Sequence, residues 1–284
     1  MLAGVLTASA AWVDPQLKEE IAQANPNHYF NIYVVLSHQV DLMAAIMEAE
    51  KQGGGRARQH YEVLTQAKEM AASTQGPFQE LLDQGKATGM VSKIKAFWIN
   101  NSFAITAKPE FIKDNIFDHP DVGWVMEDYP IELIYPVGPP VNDPLPKGIE
   151  NGIQVTGAPT LWGLGVDGTG ALACDQDTGA DGTHPAFASR WRGLEAPASE
   201  CWFDPNYHET FPTDSAEHGT HTLGTMVGDD GAGNQIGMAP KAKWIGAKTI
   251  DVGGDIYSDA VAAFEWAADP DGNPSTLEDV PDVV

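Results

Sequence analysis

Two cysteines, Cys174 and Cys201, are all that the 284 residues contain, so no disulfide framework stabilises this chain and one bridge is the most it allows. Cys174 lies in a strand-like run, which favours a plain core thiol over a bridge. Positive charge is scarce as well: 16 Lys and Arg stand against 40 Asp and Glu, a formal charge of −24. That balance argues against nucleic acid and against anionic membrane surfaces as partners, because both are held through Lys and Arg. Long apolar runs are lacking beyond the N-terminus, so no segment reads as a bilayer span. What is present in quantity is apolar side chain. A 43 % hydrophobic content over this length gives enough to bury a core, or two, and excludes a disordered chain.

The acidity is uneven. Residues 1–136 hold 10 basic and 17 acidic side chains, and residues 137–284 hold 6 and 23. The second half is therefore the strongly acidic one, which suits a salty or extracellular medium or carboxylates held ready for hard cations such as calcium; a plain solvated surface is the favoured reading. The chain opens on a short run of small apolar residues, Met1 to Trp12, with an Ala8-Ser9-Ala10 pattern suited to signal peptidase but no basic stretch before it. Residues 1–11 read either as the remnant of a signal peptide whose start lies upstream, which is favoured and would place the protein outside the cell, or simply as an apolar N-terminal extension.

From 27 to 135 strand and helix patterns alternate. Tyr29 to Leu36 is β-rich, and Val40 to Gly85 is helical with an interruption at Gly53-Gly54-Gly55. Met90 to Ile99 and Ser102 to Ala107 form a hairpin through Asn100-Asn101, Pro109 opens a short helix, and Val122 to Met126 adds a last strand. The order β, α, β, β, α, β predicts an α+β domain of the split-βαβ, ferredoxin-like kind. Closely spaced prolines over 136–147 mark an extended linker, and the tail Ile131 to Tyr135 just before it is partly apolar. Beyond the linker, over 148–284, strand-like runs at Gly170 to Cys174 and Lys243 to Ile250 alternate with helix-like runs at His218 to Val227 and Ser258 to Ala268. Strands alternating with helices predict an α/β domain with a parallel sheet.

Two strings in this second part carry chemistry: Asp177-Thr178-Gly179 closing a strand, and His218-Gly219-Thr220-His221 opening a small-residue helix. Each is ambiguous alone. Asp-Thr-Gly also marks aspartic peptidases, but those need a second copy, which is missing. His-x-x-His could pair on a metal, but the glutamate of the zinc-peptidase pattern is absent between them.

Read together and in this order, the strings resemble the Asp and His blocks of the subtilisin-like serine peptidases. The likeness runs on through Asp181-Gly-Thr-His-Pro-Ala186, Gly224 to Gly231 and Ile236-Gly-Met-Ala-Pro-Lys-Ala-Lys-Trp-Ile-Gly246, over roughly Gly148 to Val284. Gln176 and the Gly-Asp-Asp-Gly stretch are similar to bacillopeptidase F-like members. The resemblance implies a subtilisin-like catalytic domain, incomplete at its C-terminus, preceded by a ferredoxin-like propeptide that acts as intramolecular chaperone and inhibitor. Asp177 would orient and stabilise the imidazole, and His218 would be the general base toward a serine. His221 is assigned a structural role.

Two departures follow. Asp175, just before the motif, stands where the family is more apolar, so a buried carboxyl there needs a polar partner. Pro281 to Val284 resembles the strand that leads to the family's oxyanion Asn, and no Gly-Thr-Ser block appears. Ser189, Ser199, Ser215 and Ser258 lie in unsuitable settings, Ser258 reading as a helix N-cap. The chain as given is therefore expected to be inactive, with its catalytic half incompletely folded, as part of a zymogen acting on protein or peptide substrates. No cofactor is required for the chemistry, and structural calcium fits the acidity. The alternatives are a short propeptide-type inhibitor or non-catalytic binding module, and a calcium-binding surface protein. The maturation cut is expected within Val137 to Gly148.

Overall fold

The computed structural model describes residues 11–130, 148–250 and 254–284. In chain order the elements are β1 (Trp12–Val13), α1 (Pro15–Gln23), β2 (Phe30–Leu36), α2 (Leu42–Lys51), α3 (Gly55–Ala87), β3 (Val91–Phe97), β4 (Ser102–Ala107), α4 (Pro109–Asn115) and β5 (Val122–Glu127), followed by α5 (Asn151–Val155), α6 (Ala158–Gly163), β6 (Leu172–Asp177), β7 (Trp202–Phe203), α7 (His218–Val227), β8 (Lys243–Lys248) and α8 (Ile256–Ala268). The signal-peptide reading, the tail Ile131 to Tyr135 and the linker 136–147 fall almost wholly outside the described residues.

The chain divides into two compact units, one made of residues 1–129 and 255–265, the other of 130–254 and 266–284. In the first, the strands lie in the order β1-β5-β2-β4-β3. Apart from the short parallel edge β1–β5, all neighbours are antiparallel, with Ile32 opposite Ile105 and Val34 opposite Val125. Leu17, Ile32, Phe78, Phe103, Ile112 and Val125 meet in its core. Gly53 and Gly55 have positive φ, and they separate α2 from α3 where L side chains would be strained. The hairpin turn takes four residues, Trp98 to Asn101, with Asn101 at φ 47°, so β3 ends at Phe97 rather than at Ile99. The α8 segment of this unit is held by its N-terminal amides: Asp128 Oδ1 accepts from Tyr257 N at 2.7 Å, and Ile256 N donates to the Tyr129 carbonyl at 2.8 Å. Glu265 Oε2 in turn accepts the Trp98 amide at 2.6 Å. The helix therefore begins two residues before Ser258, which is its third residue rather than its cap.

In the second unit β6, β8 and β7 pair in parallel in the order β6-β8-β7. Val283 bridges in parallel to Ala173 on the other side of β6, and its carbonyl accepts the Cys174 amide at 2.9 Å. Five of the six β6 residues are buried, as a strand covered on both faces requires; this is why its sequence does not alternate. Trp244, Ile245, Phe187, Trp202 and Leu223 fill the core beside it, together with Cys174 and Cys201, both free thiols. This is an α/β arrangement around a parallel sheet.

Candidate active site

Asp177 is the last residue of β6, and His218 is the first residue of α7. The two meet: His218 Nδ1 lies 2.7 Å from Asp177 Oδ1. The Asp177 side chain is 10 % exposed and the His218 side chain 51 %, so the carboxylate is enclosed while the far edge of the ring faces out. Asp177 Oδ1 also accepts the Thr178 amide at 2.6 Å. The hydrogen bond and charge of Asp177 raise the His218 pKa above its ordinary value, against the small opposing effect of burial. Nδ1 is thereby engaged and Nε2 is left to work on a substrate or nucleophile.

Close approach of α7 to the Asp177 turn depends on glycine. A Cβ on Gly219 would stand 2.0 Å from the Gly179 carbonyl oxygen, and one on Gly179, at φ 118°, would stand 2.0 Å from that of Thr213. Both contacts are with backbone, which cannot swing away, so only glycine fits.

Asp214, which the sequence reading passed over, anchors the start of α7. Its Oδ1 accepts the amides of Ala216 and Glu217 at 3.0 and 3.1 Å, and its Oδ2 accepts the Thr220 amide and hydroxyl at 2.8 and 2.7 Å. Thr178 Oγ1 donates to Asp214 Oδ1 at 2.9 Å and accepts the Gly219 amide at 2.8 Å, so one hydroxyl joins the Asp177 turn to the helix start. These bonds hold Glu217 in the left-handed region at φ 64°, immediately before His218. Burial acts to raise the Asp214 pKa, but the Thr220 hydroxyl and amide, the Ala216 amide and the Thr178 hydroxyl outweigh it and the net shift is downward. A signal existed: Thr213-Asp214-Ser215 just before a helical run is a capping pattern. Asp214→Ala is expected to cost about 2–4 kcal/mol of stability, since five donors lose their acceptor, read as a lower denaturant midpoint at neutral pH. Because the folded pKa of Asp214 is depressed, this stabilisation is present above the ordinary Asp range and lost as pH falls through it, so the gap between wild type and variant should close in acid.

The expected partner for Asp175 is present. Asp175 is 7 % exposed and lies two residues before Asp177, on the same strand face. Thr222 Oγ1, from α7, lies 3.2 Å from its Oδ2. Burial first, and then the charge of Asp177, push the Asp175 carboxyl up to about 7.

His221 departs from the structural role expected of it: it is exposed, and while its backbone bonds to Glu217 and Thr225, its ring makes no hydrogen bond among the described residues. It lines a cavity of about 1170 Å³ with Asp181, His184, Phe211, Glu217 and Ile236. Neither Asp177 nor His218 lines that cavity, so its size does not mark the pair. The serines stand as follows: Ser189 and Ser199 are exposed in short 3₁₀ turns, Ser215 is exposed in the loop before α7, and Ser258 is buried within α8. Among the described residues no serine hydroxyl is hydrogen-bonded to His218. No cluster of three or more His, Cys, Asp or Glu able to hold a metal ion occurs among them either, and no helix there is long and apolar enough to cross a membrane.

Comparisons with known proteins fall on the same part of the chain. Residues 168–277 match the subtilase family model. Over 261 residues the chain is 32 % identical to bacillopeptidase F of Bacillus subtilis, a match covering 85 % of this chain and 18 % of that protein. It is 30 % identical over 215 residues to fervidolysin of Fervidobacterium pennivorans (65 % of this chain, 30 % of that one), and 31 % identical over 118 residues to the major intracellular serine protease of B. subtilis (42 % and 34 %). The chain thus spans about a fifth of the length of bacillopeptidase F and about a third of the other two. With both sequence strings inside the matched segment and their side chains in contact, the chain belongs to the subtilisin-like serine peptidases, on the bacillopeptidase F-like side of the family.

Proposed function

We propose that this chain carries the propeptide and the Asp–His half of the catalytic triad of a secreted serine endopeptidase acting on proteins or peptides. The observation that carries the reading is the 2.7 Å contact of His218 Nδ1 with a buried Asp177 carboxylate. That contact fixes the ring tautomer and stabilises the imidazolium formed when Nε2 takes the proton of a serine hydroxyl. His218 then returns the proton to the leaving amine. No serine among the described residues meets Nε2, so residues 1–284 by themselves are proposed to be inactive, with the nucleophile and the oxyanion donor coming from sequence outside the stretch matched in the relatives. Hydrolysis of a chromogenic peptide by the natural gene product tests this: Asp177→Asn should lower kcat about ten-thousandfold, because the ring loses its orientation and counter-charge. Full activity in that variant would sink the assignment.

Residues 27–135 are proposed to be the ferredoxin-like propeptide, 136–147 its linker, and 148–284 the peptidase part, with maturation cutting within Val137 to Gly148. The antiparallel order β5-β2-β4-β3 supports this, as does the placing of Asp128 and the Trp98 amide on α8, which lies inside the matched subtilase segment. An isolated propeptide of this kind should inhibit the mature enzyme at micromolar concentration or below. Inhibition kinetics with residues 27–135 check it, and absence of inhibition at that concentration would contradict it. Structural calcium, in keeping with the acidity, is part of the proposal but not of the chemistry.

A further inference from the structure

Asp175 has no place in the acid–base scheme above, yet it is buried beside it. Asp175 and Asp177 point from one strand toward α7, and the only ion pair either makes among the described residues is that of Asp177 with His218. Between them stands Thr222, whose Oγ1 is 3.3 Å from Asp175 Oδ1, 3.2 Å from Asp175 Oδ2, 3.3 Å from Asp177 Oδ2 and 3.0 Å from the Gly219 carbonyl oxygen. A threonine hydroxyl has one proton to give. If both carboxyls were ionised, that single proton would face two buried anions and a carbonyl: given to Asp175 it would leave Asp177 Oδ2 without it, and given to Asp177 it would leave the Asp175 carboxylate without it, each a buried charge poorly satisfied. If Asp175 keeps a proton, it donates to Thr222 Oγ1, and Thr222 is free to donate to Asp177 Oδ2. Asp177 is then satisfied on both oxygens, by His218 Nδ1 and the Thr178 amide on one and by Thr222 on the other.

We propose that Asp175 is a positioning residue for the Asp177–His218 pair, a neutral carboxylic acid that acts through Thr222 to orient Asp177 and leave one negative charge beside the imidazole. Loss of its proton to solvent adds a second charge and makes His218 more basic. The other groups whose charge reaches Asp175 are Asp177 on its own strand, Asp214 from the loop before α7, and His218. Opposite it on β8 is Gly246, which has no side chain, and on the other edge of β6 the Asp282 carboxylate is taken up by the Leu172 amide at 2.9 Å. Cys174, the preceding residue, is a buried thiol whose own pKa is pushed up to about 12, chiefly by burial, so it stays neutral over the range concerned.

The inference rests on reading Asp177 and His218 as the acid–base pair, but its test needs no nucleophile, so its failure and a failure to hydrolyse peptides are separate results. The 284-residue chain, labelled at Asp carboxyl carbons and at histidine ring nitrogens, is titrated by NMR, with His218 assigned through His218→Gln. Wild type should show one Asp carboxyl titrating near pH 7 and a second inflection of the His218 ring at the same pH. Asp175→Asn, whose amide can donate to Thr222 as the acid does, should abolish both and lower the His218 pKa by about one unit. Thr222→Val should keep the carboxyl titration but change the Nδ1 proton signal of His218 at a pH where Asp175 is neutral. An Asp175 that merely fills space leaves the His218 titration the same in wild type and Asp175→Asn, which overturns the proposal. So does the absence of any Asp carboxyl titrating above pH 5.5 in wild type, a reading that requires no variant to fold.

Discussion

Under the proposed function, His218→Ala is expected to lower the kcat of peptide hydrolysis by the natural gene product about a millionfold, the scale on which a serine-peptidase triad fails when its base is removed. The melting temperature should barely move. His218 has half its side chain in solvent and the one hydrogen bond of its ring among the described residues is to Asp177, so truncation leaves no cavity and exposes no core. In the proposed mechanism, loss of the ring would leave the serine hydroxyl with no acceptor for its proton and the leaving amine with no donor. His221→Ala is the internal control. Its ring is exposed and has no hydrogen-bond partner among the described residues, so neither activity nor stability should change more than about twofold or 0.5 kcal/mol. Comparable losses of kcat in the two variants, measured on one chromogenic peptide, would contradict the role given to His218.

The second large effect is on stability and has an unusual sign for a buried carboxyl removal. Asp175 ionises at about 7 in the fold, against an ordinary value of 3.8, so between these limits the folded chain holds a proton that the unfolded chain has released. Stability linked to Asp175 is therefore intact below the ordinary Asp range and is lost as pH rises toward and through 7. The shift of roughly 3 units corresponds to about 4 kcal/mol of penalty once the group is charged. Asp175→Asn keeps the shape and the donor while abolishing the charge. It should be more stable than wild type at pH 8–9 by about 2–4 kcal/mol and close to it at pH 4. Urea unfolding across this range, followed by tryptophan fluorescence of the second unit, checks it. A variant that is less stable than wild type at pH 8.5 would show that Asp175 is charged and well solvated or paired in the fold.

Legibility of these features in the sequence followed the range of the interactions that make them. β6, α7, β8 and α8 were found within a few residues of their ends because each carries its own local pattern, whether an apolar run, a small-residue helix or the strings at 177–179 and 218–221. The hairpin at 100–101 was readable from its turn residues for the same reason, though the longer turn shortened β3. By contrast α1 was missed although Asp14 caps it by accepting the Gln16 and Leu17 amides and Pro15 opens it, a local signal overlooked beside the apolar N-terminal run of the sequence. β7 is two residues long and is a strand only because Trp202 and Phe203 meet Gly246 and Ala247 of β8, about 44 residues away in sequence; no local pattern specifies it. α5 and α6 are too short for periodicity to show. At the site, Asp177 and His218 could be named from their strings, and Asp175 could be flagged as a costly burial. Thr222 could not be named as the link, because its hydroxyl reaches the two carboxyls across 45 and 47 positions of sequence.

The most direct test of the account is covalent. A serine-directed phosphonate is applied to the gene product and to its His218→Ala variant, and intact mass and peptide mapping count and place the label. The expected result is one phosphonate per chain of wild type on a serine outside the described residues, little or none on the His218→Ala variant, and none on residues 1–284 alone. Equal labelling of wild type and His218→Ala, or a label on Ser189, Ser199, Ser215 or Ser258, would contradict the assignment of Asp177 and His218 as the pair that activates the nucleophile.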